Sequence, residues 1–270
     1  MKNILTIAAF TVRELLGFRV TRTLFAITAL LPLLAWAFSQ LFMLEIAKVQ
    51  LDVMVGGAYL LGVVFLLSTV VTLLGKDIGE QVCYFFLPPP IERYSYVLGR
   101  FLGSVVVLTL LYTLLLVGVE LLIWISLQYD TSIHRHGINW IAGIMIGWTA
   151  WYQTISLMGA VFLICAWATG VAEMLVFSSS AAFIYWVFPP ILAGMKGRSD
   201  ADPLVSESLK QSLDGLSWFF PDMTGGSIVL AFEHGISISN IVIMQHALGH
   251  LGYTALMLGL AIIIFSKRSL

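Results

Sequence analysis

KDIGEQVCYFFLPPPIERYSYVLGRF, residues 76–101, separates two long apolar runs and decides how the rest of the chain is read. It carries Lys76, Asp77, Glu80, Glu92, Arg93 and Arg100 in a chain of which only 11% is charged. Val82, Tyr84, Phe85, Phe86 and Leu87 are too apolar for a plain solvated loop. Pro88, Pro89 and Pro90 remove three backbone donors and favour extended geometry, so a helix must stop there. A second helix can start at Ile91-Glu92-Arg93. A short amphipathic helix, a rigid stop and a basic re-entry make a surface suited to being gripped by another protein.

The flanks of this stretch read as membrane. The 270 residues are 59% hydrophobic, with a mean hydropathy of +0.95, whereas a soluble domain is about one-quarter charged. A helix needs about 20 apolar residues to cross a bilayer, and six runs qualify: 24–43, 55–74, 96–127, 138–168, 174–192 and 241–265. The fold class expected is therefore an all-α membrane protein, a single transmembrane domain of six spans. The net charge of −1 offers no electrostatic footprint for nucleic acid. Cys83 and Cys165 give no disulfide framework. The first apolar run is broken by Arg13 and Glu14 and has no small-residue cleavage pattern, so no cleavable signal peptide is expected.

Residues 1–20 place Ile4, Leu5, Ala8, Val12, Leu15 and Leu16 on one helical face, with Lys2, Thr6, Arg13 and Glu14 elsewhere. The pattern predicts an amphipathic helix lying in the interface plane. Pro32 falls inside the first span, where membrane helices tolerate it. Gly56, Gly57, Gly62 and Ser68 allow close packing of the second. The third is longer than a bilayer requires. Thr169, Gly170 and Glu173 make a tight turn, and the fifth span is expected to end at Pro189-Pro190. In the outer segment, 196–240, Leu204, Leu209, Leu213 and Leu216 recur at helical spacing and predict short helices at the outer surface.

Six spans place both termini on one side. Nine basic residues fall there (Lys2, Arg13, Arg19, Arg22, Lys76, Arg93, Arg100, Lys267 and Arg268) and five on the other (Lys48, Arg135, Lys196, Arg198 and Lys210). The excess predicts cytoplasmic termini and a break facing the cytosol.

Chemistry-bearing residues are few. Gly75-Lys76 is followed by Asp77 and lacks the upstream glycine of a phosphate loop, so the chain has no nucleotide site of its own. His246 and His250, at i and i+4 in the sixth span, would share a helix face. Two imidazoles so placed either bind a metal or haem or serve as polar packing residues. Glu120 lies well inside the third span, where an acid is costly. It is either part of a substrate path or gate, or a structural group bonded to a neighbouring helix.

The stretch around Lys76–Phe101 resembles the cytoplasmic segment of ABC-2 type transporter permeases. The elements that carry the resemblance are Lys76-Asp77, Gly79, the apolar run Val82–Leu87, Pro90-Ile91-Glu92-Arg93 and Gly99-Arg100, with Pro88-Pro89 as an apparent insertion. The overall plan is similar too, loosely like the small permeases of nitrous-oxide-reductase maturation.

The resemblance implies an exporter subunit of a bacterial inner membrane that works as a homodimer. It implies a separate nucleotide-binding subunit, which holds ATP and Mg, docked on the segment 76–93 through Gln81, Val82, Tyr84, Phe85, Phe86, Leu87, Pro90 and Arg93. Besides lipid, an accessory periplasmic protein is a further partner under this reading. The competing expectations are an ABC complex that drives such a protein without moving a solute, and an intramembrane metal- or haem-binding enzyme using His246 and His250.

Overall fold

The computed structural model describes residues 2–41, 46–79, 92–129, 140–201 and 239–267, with isolated positions between 208 and 215. The long apolar runs form helices because backbone groups removed from water must be satisfied within their own segment. In order these are α1 (Lys2–Gly17), α2 (Arg19–Ser39), α3 (Ile46–Phe65), a π-turn segment (Leu66–Val70), α4 (Val71–Gly79), α5 (Arg93–Tyr129), α6 (Trp140–Trp167), α7 (Val171–Ala201) and α8 (Asn240–Lys267). Six helical stretches are long and apolar enough to cross a membrane, and no strand occurs among the described residues. The chain is an all-α, multi-pass membrane protein by this architecture.

Helix α6 is the centre. Its spanning window is 83% buried, against 28% for those of α2, α7 and α8. Antiparallel α5 and parallel α8 flank it: Phe162 meets Phe101 edge-on, and Gly159 faces Thr254. Gly143 and Gly147 sit against Val119, Ile123 and Leu116, letting α6 approach α5 closely. Apolar attraction between helices is weak in lipid, so close packing of small residues takes its place. The outer faces of α2, α7 and α8 stay apolar, with Leu33, Phe183 and Leu256 exposed.

Several boundaries differ from the sequence reading. The second span does not stop at residue 74: α3, the π-turn and α4 run on through Lys76 to Gly79. The fifth does not stop at Pro189-Pro190, since α7 carries both prolines inside it and continues to Ala201. Each proline deletes one helical hydrogen bond, a loss that membrane helices tolerate. The hydroxyls of Tyr185 and Tyr253 pair between α7 and α8, and Leu192 beyond the prolines is buried. The remaining spans lie within a few residues of their expected limits. The outer segment 202–238 and its expected helices fall almost wholly outside the described residues.

Helix α1, expected as an amphipathic interfacial helix, packs lengthwise along the first half of α5. Ile7 sits over Gly99, and Ala8 and Thr11 sit over Gly103, a matched advance of one turn on each helix. The buried face is Ile7, Ala8, Thr11 and Leu15, while Leu5 and Leu16 from the expected face are exposed. The reason is local: Gly99 and Gly103 carve a groove deep enough to admit another helix.

This close approach is testable. A Cβ at Gly99 would lie 2.6 Å from the Cβ of Ile7, and one at Gly103 would lie 2.8 Å from the carbonyl oxygen of Ala8. Gly99→Ala and Gly103→Ala are each expected to destabilise the protein by about 1–3 kcal/mol. Gly249→Ala, with nothing within 4 Å, is expected to be near-silent. Denaturant unfolding in detergent micelles measures all three.

Candidate functional site

Arg100 has a side chain only 1% exposed. An unpaired guanidinium so placed would be untenable, so its partners define the site. Nη1 donates to Glu14 Oε2 at 2.6 Å and to Thr11 Oγ1 at 3.2 Å. Nη2 pairs with Asp77 Oδ2 at 2.7 Å. The Tyr96 hydroxyl donates to the same Asp77 oxygen. The Phe10 and Tyr96 rings lie 5.6 and 5.7 Å from the guanidinium carbon and close the remaining faces. Charge and aromatic surface thus tie α1, the end of α4 and the start of α5 into one joint.

Helix α8 joins the same end. Tyr96 stacks on Phe265 at 5.7 Å, and Arg93 Nη1 donates to the carbonyl oxygen of Ser266 at 3.0 Å. Asp77 and Arg93 therefore stand on either side of residues 80–91, each fixed to the bundle. The sequence reading took Asp77 and Arg100 as part of a polar, cytosol-facing break. Both are buried instead, whereas Lys76 and Glu92 are exposed. The signal missed was Gly99-x-x-x-Gly103 bracketing Arg100. Two small residues one turn apart mark a face that meets another helix, and Arg100 adjoins it.

Of the residues expected to dock a partner, Arg93 is described, half-buried and bonded to α8. Gln81, Val82, Tyr84, Phe85, Phe86, Leu87 and Pro90 lie outside the described residues, as does Cys83. Cys165 is a buried free thiol.

Neither a protein-family model nor a curated protein matches the chain. The site must speak through its geometry.

Glu120 sits near the far end of α5, half-buried against α6. Its Oε1 is enclosed and has no hydrogen-bond partner among the described residues; a Cβ on Gly143 would come within 2.5 Å of it. The structure brings Glu120 into contact with neither the Arg100 joint nor the histidines.

His246 and His250 do share a face of α8, with ring centroids 4.7 Å apart. Tyr152 of α6 meets both rings, and its hydroxyl lies 2.9 Å from Nδ1 of His246. This is a polar seam between α6 and α8. No group of three or more His, Cys, Asp or Glu side chains converges among the described residues.

A second polar layer, unforeseen in the sequence, crosses the middle of the bundle. Tyr59 donates to Gln153 Oε1 at 2.6 Å, Tyr112 donates to the carbonyl oxygen of Ala58 at 2.9 Å and meets the Thr154 hydroxyl at 2.7 Å, and Trp151 donates to Thr109 at 3.0 Å. Tyr59, Gln153, Thr154 and Ser179 border a cavity of about 490 Å³ between α3, α6 and α7, whose other walls are apolar residues such as Leu60, Phe183 and Trp186.

Removing one member of a buried ion pair leaves its partner charged and dry, at a cost of about 3–5 kcal/mol. Arg100→Met is expected to lose stability on that scale. Combining it with Asp77→Asn and Glu14→Gln should recover much of the loss, because no uncompensated charge then remains. A thermodynamic cycle on the detergent-solubilised protein reads the coupling. Additive losses would show that the three charges do not act together.

Proposed function

We propose that this chain is the membrane subunit of an ABC-2-type exporter, working as a homodimer in a bacterial inner membrane with both termini in the cytosol. A separate ATP- and Mg-binding subunit supplies the energy. The observation that carries the reading is the joint around residues 80–91. The helix entering that segment and the helix leaving it are locked together by Asp77, Arg100 and Tyr96, and to α8 by Arg93.

A push on the segment is therefore delivered to α1, α4, α5 and α8 together rather than dissipated in a loose connection. The apolar content of the segment supports the same role. Tyr84, Phe85, Phe86 and Leu87 are four consecutive bulky side chains, and each would gain about 1.5–3 kcal/mol if fully buried in a partner's groove. A few such anchors carry most of the binding in protein interfaces. The sequence has no phosphate loop, so ATP hydrolysis falls to the other subunit. Glu120, on the long helix that starts at the joint, is assigned to the substrate path or its gate.

Replacing Tyr84 and Phe85 together with glutamate tests the reading, since both fall outside the spans read from the sequence. The variant is expected to insert and dimerise normally but to lose co-purification of an ATPase in mild detergent. Near-normal retention of the ATPase would remove the docking role of this segment. If the wild-type chain, isolated from its native membrane, brings down no ATPase at all, the transporter reading itself fails.

A further inference from the structure

Three arginines cluster where α1 gives way to α2. Arg13, Arg19 and Arg22 are all exposed, and the chain breaks between the helices at Phe18, whose ψ of 134° is extended. Glu14, the acid nearest to them in sequence, is turned inward to Arg100. None of the three arginines has an ion pair among the described residues. Arg22 Nη2 donates to the carbonyl oxygen of Gly17 at 3.0 Å, which holds that side chain back towards the junction.

Below the arginines runs an apolar trough. A cavity of about 910 Å³ opens sideways between α2 and α5, lined by Ala29, Leu33, Trp36, Leu114, Val117 and Leu121 among others. On α2, Arg22, Ala29, Leu33 and Trp36 follow one another at i, i+7, i+11 and i+14, so the charge and the trough share a helix face. On α5, Val106 and Leu110 are 46% and 47% exposed and continue the stripe of Val117 and Leu121 towards the arginines. Along α2 and its C-cap the lining runs from Thr28 to Gln40, about 9 to 27 Å along the helix axis from Arg22, and Gln40 and Gln50 line the trough's far end.

We propose that this face holds an anionic glycerophospholipid, its phosphate at Arg19 and Arg22 with Arg13 alongside, and an acyl chain laid in the trough between α2 and α5. The positive charge at one end and the largely apolar trough beyond it on the same helix face together select this class of occupant. A neutral lipid would use the trough but gain nothing from the arginines. A soluble phosphate compound would gain from the arginines but leave the trough empty. The assignment does not depend on the transporter reading.

The test compares the full-length protein in nanodiscs of phosphatidylglycerol and of phosphatidylcholine, followed by transfer to detergent and native mass spectrometry. One phosphatidylglycerol per chain is expected to stay bound, with phosphatidylcholine lost. Arg19→Gln with Arg22→Gln should weaken retention by roughly thirtyfold, the scale set by the surface attraction of two basic residues. Arg19→Lys with Arg22→Lys should keep most of it. Ala29→Trp should also release the lipid by filling the trough with the arginines intact, while circular dichroism and gel filtration stay unchanged.

Equal retention of the two lipids, or normal retention by the glutamine pair, would overturn the proposal. So would normal retention by Ala29→Trp. A disulfide forming quantitatively between copies of Leu33→Cys in phosphatidylglycerol nanodiscs would give the trough to a second copy of the chain and overturn it as well.

Discussion

A guanidinium kept from water must find its counter-charges inside the protein, and most of the arrangement at one end of this bundle follows from meeting that demand. Arg100 lies on the inner side of α5, two turns from its start, so Asp77 has to come from the end of α4 and Glu14 from α1. Two acids against one base leave the cluster with a formal excess of negative charge. Tyr96 and Thr11 supply the hydroxyls, and Phe10 and Tyr96 supply the aromatic faces, that make it tenable. Buried ion pairs of this kind seldom add much net stability, because desolvation offsets the attraction. What they do enforce is register. Sliding any one of the three helices would strand a charge.

The same end of α5 shows why register and packing cannot be separated. Gly99 and Gly103 bring the α1 backbone close enough for Glu14 and Thr11 to reach Arg100. Larger residues there would hold α1 away and lengthen each of those bonds. Farther along α5, Gly118 admits Pro32 of α2. Gly143 and Gly147 of α6 then receive side chains from its other flank. One long helix thus takes neighbours on several sides through missing side chains, while α2, α7 and α8 keep apolar outer faces. The buried charge fixes one end, and the small residues fix the spacing along the rest.

This bears on function because a rigid joint transmits displacement. Residues 80–91 connect α4 to α5 in the chain, and the helix ends on both sides are bonded to other helices within a turn or two. The far end is built differently. There Glu120 has an enclosed carboxyl oxygen, and the α6–α8 seam carries Tyr152, His246 and His250. Under the proposed function, charge locked at one end and polar groups distributed towards the other would let a push be received at the first and expressed at the second.

Hydrophobic length and charge scarcity alone determined that this is a helical membrane protein with six spans, since any apolar run of about 20 residues must satisfy its backbone internally in lipid. The shared face of His246 and His250 was legible for a similar reason, because a spacing of four residues puts side chains together on any helix. The prolines at 189 and 190 misled because local backbone preference predicts a stop, whereas membrane helices tolerate proline and α7 runs on through both. The fate of Asp77, Arg100 and Glu14 was decided only in three dimensions. Sequence shows that a residue is charged, but whether it meets water or a counter-ion depends on which helix arrives beside it. Here that helix is α1, and it arrives because two glycines leave room.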